Sequence, residues 1–180
     1  FIIHGIHLDP ADIEVLQHIQ PVVVTNPQSN ANNGVGTFDP WRVRQYLLGT
    51  DGMTNDMMAT LRYHYLSLQE RRLPTDHLRD TFFTFRTEVQ NRFFPDTGRL
   101  APGARADIAV LDYAPITPIS ADNALMHLIF GARTARAHMT LVDGEIRFRE
   151  GEFPGLDAAA IRAEAREVAM RLHERFDGDG

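Results

Sequence analysis

The sequence contains no cysteine and no lysine. Without cysteine there is no disulfide, no thiolate metal site and no thiol nucleophile, so any metal chemistry must draw on histidine, aspartate and glutamate. Without lysine there is no Schiff-base amine and no Walker lysine; all 18 basic residues are arginine. No run of eighteen apolar residues occurs, and no basic lead with an apolar stretch and cleavage site opens the sequence. A cytoplasmic chain with no membrane partner is therefore expected. Positive charge is also scarce: 18 bases against 24 acids leave a net charge of -6, which removes the basic footprint of a nucleic-acid binder. What remains, 180 residues with 43% apolar and 23% charged, suits a globular chain able to bury a core.

The chain opens at Phe1 inside an apolar run, as if entered mid-strand. Residues 1 to 4 read as a short buried strand, Asp9-Pro10 as a helix start, and Val22-Val23-Val24 as a second buried strand. Strand, helix and strand within about 25 residues form the crossover unit of a parallel sheet. Residues 25 to 36 read as a polar loop and 44 to 48 as a third strand. Helical periodicity follows over 55 to 72 and 75 to 94, with Phe82, Phe83, Phe85, Val89 and Phe93 on one broad face. The texture changes near residues 95 to 99. After that come a strand at 108 to 111, a short helix at 122 to 130, a hairpin turning on Asp143-Gly144, and a helix to Phe176 capped by Asp157.

His4 ends an apolar strand and precedes Gly5. In a parallel sheet that is the mouth of a site, where histidine ligates a metal or passes a proton; a buried histidine with one hydrogen-bond partner is the alternative. His7 reads as loop or surface. Asp51, between Thr50 and Gly52 at the end of the third strand, can bind a cation and accept a proton from its water, although Thr-Asp-Gly is an equally good turn. Asn26, Ser29 and Asn30, followed by Asn32-Asn33-Gly34, can meet a polar heterocycle or hold neighbouring loops; composition favours holding. His64, His77, His127, His138 and His173 read as packing or surface residues.

Three runs taken in order, His4-Gly5-Ile6-His7-Leu8, Asn26 to Asn30 with Asn32 to Gly36, and Leu48-Gly49-Thr50-Asp51-Gly52, resemble the amidohydrolase superfamily, in its cytosine deaminase, guanine deaminase and chlorotriazine hydrolase branch. Residues 98 to 112 look like that family's return to its small β-sandwich. Asp112-Tyr113, Thr117-Pro118, Asp122-Asn123, residues 127 to 131 and 142 to 145 look most like its SsnA group of aminohydrolases. The resemblance implies an α/β fold: about strands six to eight of a (β/α)8 barrel over residues 1 to 95, part of a β-sandwich over 96 to 153, and a C-terminal amphipathic helix over 154 to 180.

The resemblance also implies a divalent metal, zinc or iron, and hydrolysis of a non-peptide C–N bond, deaminating a ring amine by metal-bound hydroxide. His4 and Asp51 are then the catalytic residues, Asp51 is a metal ligand, and Asn26, Ser29 and Asn30 face the substrate, a small nitrogen heterocycle. Two departures stand out. Thr25-Asn26-Pro27 replaces the usual His-Asn-Pro, and the stretch from Gly36 to Leu48 leaves little room for a helix.

The family's metal site also needs a His-x-His pair and a further His, and no two of the eight histidines here stand two apart. A barrel of this type takes on the order of 250 residues. The expectation is the C-terminal part of a longer enzyme whose N-terminal half is missing, with the metal not retained by this chain alone and self-association open. The alternatives are a non-catalytic remnant serving as a binding or assembly module, and a hydrolytic dehalogenase of the same fold.

Overall fold

Asp9 and Asp12 begin the first helix by capping each other's backbone. Asp9 accepts the Asp12 N–H at 2.8 Å and Asp12 accepts the Asp9 N–H at 3.0 Å. Pro10, with no N–H to leave unpaired, takes a first-turn position. In the computed structural model of the protein, which describes residues 1–43 and 45–178, this helix, α1 (Pro10–Ile19), connects β1 (Ile2–Ile3) to β2 (Val23–Thr25). With β3 (Tyr46–Leu48) they form a parallel sheet in the order β1-β2-β3. Ile2 lies opposite Val23, and Val23 opposite Tyr46, so the carboxyl ends of all three strands reach one edge. Arg44, where the third strand was expected to begin, lies outside the described residues.

Two expectations for this region change. The segment after β2 is not all loop: Pro27–Asn32 is a helix, α2, with Pro27 in its first turn. The strand at the head of the chain is not buried either. Phe1 is 65% and Ile3 53% exposed; among the described residues β1 pairs only with β2, which leaves its other edge open. Between Gly36 and Tyr46 the described residues hold turns and no helix, as the short spacing suggested.

The helix α3 (Met57–Glu70) starts where Asp56 accepts the N–H groups of Met58 and Ala59 at 3.0 and 2.9 Å. The expected second helix arrives in two parts, a wide π-turn over Asp80–Phe85 and then α4 (Arg86–Phe93). The π-turn breaks the 3.6-residue rhythm that placed five apolar residues on one face. Phe85 and Val89 are buried, while Phe93 is exposed.

Val23, Phe38, Tyr46, Leu61, Leu68, Leu78, Leu125 and Ile129 form the main core. Each fully buried leucine contributes about 1.5–3 kcal/mol over an exposed one, and this cluster sets the position of the sheet. Leu125 and Ile129 come from α5 (Ala124–Met126) and the π-turn His127–Gly131, which starts later than residue 122 and is followed by a 3-10 turn at Ala132–Thr134.

The chain divides into two compact units, Phe1–Ala104 with Tyr113–Ala135, and Arg105–Asp112 with the chain from Arg136 onward. The second unit is an antiparallel sheet, β4 (Ile108–Leu111), β5 (Ala137–Val142) and β6 (Glu145–Arg149), in the order β4-β5-β6. Asp143 and Gly144 make its hairpin with φ of 52° and 81°. Helix α6 (Ala158–Gly178) follows, with Asp157 accepting the Ala159 and Ala160 N–H groups at 3.1 and 2.9 Å. None of this sheet's residues and none of α6 is buried.

Candidate active site

Two of the residues expected at the site hold unusual backbone conformations. His4 has φ of 70° and Asp51 φ of 52°, the left-handed region that L-residues enter at a cost of order 1 kcal/mol. Both turns hang on β2: the His4 N–H donates to Val24 O at 2.7 Å and the Gly49 N–H to Thr25 O at 2.8 Å. Gly5 continues the first turn with φ of 62°, and a Cβ there would come within 3.1 Å of Val23 Cγ1. The turn therefore needs glycine for its dihedral, and the space is close as well.

These turns bring His4 Nε2 within 3.8 Å of Asp51 Oδ2, with both side chains 41% exposed. A pair this wet is screened by solvent and contributes little to stability, no more than the two backbones cost. Stability does not account for the arrangement, and paired outliers at a strand mouth point to function.

Helix α2 supplies the supports. Ser29 Oγ donates to Asp51 Oδ2 at 2.6 Å, and the Gly52 N–H donates to Asp51 Oδ1 at 2.7 Å. The serine hydroxyl first, then the Gly52 N–H, with His4 adding to them, hold the Asp51 carboxyl below the usual carboxylate range. Asn30 Oδ1 lies 2.8 Å from His4 Nδ1, and Asn26 Nδ2 lies 3.3 Å from the same nitrogen. Asn30 Nδ2 donates to Thr25 Oγ1 at 3.4 Å.

Asn26, Ser29 and Asn30, expected against substrate, are thus buried, with polar atoms directed to His4, Asp51 and Thr25. Thr25, noted only as a departure in its motif, is fully buried and bears on Asn30. His7, Asn32 and Asn33 are exposed, and Asn33 Nδ2 reaches Ser29 Oγ at 3.4 Å. A cleft of about 420 Å³ adjoins His4, with Ile6, Leu8 and Val35 on its walls and Asn30 and Asn33 among its polar groups.

A second polar cluster went unread in the sequence. The Tyr46 hydroxyl sits 2.7 Å from His64 Nε2 and 2.9 Å from His77 Nε2. With one proton, it donates to one ring and accepts from the N–H of the other. Burial first, then the charges of His77 and Arg71, push the His64 imidazole down to about 3, and burial pushes the Tyr46 phenol up. Nothing in a sequence marks residues 18 and 31 apart as partners when each reads as ordinary packing.

Among the described residues no group of three or more His, Asp or Glu is placed to hold a metal ion. His4 and Asp51 are two donors where a catalytic zinc takes three protein ligands and a water. Among the described residues, too, no helix is long and apolar enough to cross a membrane.

The amidohydrolase family model matches residues 1–147. The 5-methylthioadenosine/S-adenosylhomocysteine deaminase of Halobacterium salinarum is 30% identical over 187 residues, covering 97% of this chain and 43% of its own. The relative of the same name from Natronomonas pharaonis is 29% identical over 197 residues, covering 99% and 44%. An adenosine deaminase from Xanthomonas campestris, solved with bound zinc, superposes with a TM-score of 0.77 at 22% identity over 96% of this chain and 42% of that one. E. coli guanine deaminase gives 0.66 at 22% identity over 83% and 38%. At such identities the superpositions speak for the fold, and the chain spans less than half the length of the relatives it matches. On the match over residues 1–147 and the 30% identity along nearly all of its length, the chain belongs to the amidohydrolase family.

Proposed function

We propose that this chain carries the proton-handling part of an amidohydrolase active site that hydrolyses a non-peptide C–N bond, removing an amino group from a nitrogen heterocycle. The observation that carries the reading is the approach of His4 Nε2 to Asp51 Oδ2, 3.8 Å apart at the carboxyl ends of parallel strands, where ligands of such sheets are held. The deaminase names of its relatives give the class of bond.

On this reading β1 to β3 are the last three strands of a barrel within residues 1 to 95, residues 96 to 153 contribute to a small β-sandwich, and 154 to 180 are the closing helix. The donors missing from the metal site come from the part of the whole protein outside this chain, and Asp51 is one ligand of the divalent ion, zinc or iron. When bound, such an ion supplies a hydroxide nucleophile from water near neutral pH. His4, through the Nε2 that faces Asp51, exchanges a proton with the reacting groups, and the Asp51 carboxylate accepts one. The cleft beside His4 offers apolar walls from Ile6, Leu8 and Val35 to the faces of a flat ring, and its volume of about 420 Å³ lies in the small-molecule range.

The test is ammonia release by the full-length protein, with zinc present, from a panel of aminopurines, aminopyrimidines and S-adenosyl compounds. The expected result is ammonia from at least one ring amine, reduced about 10²-fold or more in H4A and D51A. Undiminished release by D51A contradicts the reading. Chloride release from a chlorinated ring, with no ammonia from its amino counterpart, moves it to dehalogenation.

A further inference from the structure

Ser29 and Asn30 are successive residues of α2, so their side chains leave the helix about 100° apart. That divergence lets one short helix reach both members of the His4–Asp51 pair. The Asn30 contact has a chemical consequence beyond packing, because the partner of one imidazole nitrogen decides which nitrogen carries the proton.

Two amides approach His4 Nδ1. Asn30 Oδ1 lies at 2.8 Å and can only accept; Asn26 Nδ2 lies at 3.3 Å and can only donate. The Asn30 contact is at ideal hydrogen-bond length, and the Asn26 contact is the longer and weaker of the two. The amide of Asn30 is oriented from its other end, where Nδ2 faces Thr25 Oγ1 at 3.4 Å in a buried position. Asn30 itself is 1% exposed, so water does not compete for its oxygen.

We propose that Asn30 is a positioning residue that fixes His4 as the Nδ1–H tautomer, leaving Nε2, the nitrogen facing Asp51, as the atom that exchanges protons. The tautomer stands on the geometry of Asn30, His4 and Thr25; its use in a reaction rests on the role proposed for His4 above. Thr25 belongs to the same device, its hydroxyl lying on the NH2 side of the Asn30 amide.

The experiment is long-range ¹⁵N–¹H correlation on histidine-labelled protein, recorded on neutral imidazole, for wild type, Asn30→Asp and Asn30→Leu. Wild type is expected to show a protonated Nδ1 and an unprotonated Nε2 at His4. Asn30→Asp keeps that pattern, since a carboxylate oxygen accepts the same proton. Asn30→Leu shifts His4 toward the Nε2–H form that free imidazole prefers. A wild-type His4 protonated on Nε2 overturns the proposal, and so does an Asn30→Leu variant with the wild-type pattern. Should the leucine variant fail to fold, the wild-type spectrum still decides.

In the full-length enzyme Asn30→Leu is expected to lower kcat at least tenfold with KM little changed, and Asn30→Asp to recover part of the loss. The expected spectra together with no ammonia release from the wild-type enzyme would sink the functional reading and leave the tautomer standing. The reverse pattern would do the opposite.

Discussion

Ser29 Oγ donates to Asp51 Oδ2 at 2.6 Å, joining one turn of α2 to the turn after β3 across 22 residues of sequence. This bond is the first cause of the lowered Asp51 carboxyl. A carboxylate held below its unfolded value contributes stability that is present above the ordinary value of about 3.9 and lost as pH falls through the folded one. Ser29→Ala should move the Asp51 carboxyl up toward the usual range and narrow that window. Carboxyl ¹³C titration checks this: Asp51 should titrate at higher pH in the variant, and an unchanged midpoint contradicts the assignment.

His64, bonded to Tyr46 at the far end of β3, gives a pH dependence of the same sign in a higher pH window. Its folded value is pushed down to about 3 from an ordinary 6.5, so between those two pH values the unfolded chain binds a proton that the folded chain refuses. Stability should therefore fall as pH drops below about 6.5, at up to roughly 1.4 kcal/mol per pH unit from this group. Urea denaturation at stepped pH should show a shallower slope over that range in His64→Gln than in wild type.

Tyr46 is the hydroxyl between the two rings. Tyr46→Phe keeps the buried ring and removes the shared partner, so His64, itself buried, is left underpaired at a cost of about 1–3 kcal/mol. The denaturation midpoint should drop accordingly, and an unchanged midpoint means that water replaces the hydroxyl.

Gly49 directly follows β3 and lies against Asn26, a support of His4. A Cβ at this position would clash with Asn26 Oδ1 and meet Val24 Cγ1 at 3.1 Å. Gly49→Ala must displace a buried amide, and overpacking of this kind costs about 1–3 kcal/mol. Denaturation should report that loss, and the His4 ring resonances should move because Asn26 lies beside Nδ1.

The features legible in the sequence are those whose causes are local. Asp143-Gly144 turns the hairpin because both residues tolerate positive φ, and Asp9 and Asp157 cap the helices that follow them. The order of the His4 and Asp51 motifs was enough to expect both at the mouth of a parallel sheet. Helix α2 is hidden in the sequence because, apart from Pro27, the residues it buries, Ser29 and Asn30 with Asn26 just before, are polar and leave no apolar period.

The π-turns at Asp80–Phe85 and His127–Gly131 arise from one extra residue per turn, which composition does not mark. An apolar strand reads the same whether or not both of its faces are covered, so the exposure of β1 leaves no mark in the sequence. The roles of Asn26, Ser29 and Asn30 needed distances: a motif shows which groups are available, not which way they point.

A crystal structure of the full-length protein grown with zinc, with the metal located by anomalous scattering, tests the central claim most directly. The expected result is an anomalous peak about 2.0–2.2 Å from an Asp51 carboxylate oxygen, with His4 Nε2 facing the same site and Asn30 still on Nδ1. Zinc bound with Asp51 outside its coordination sphere, or His4 turned away from the site, would contradict it.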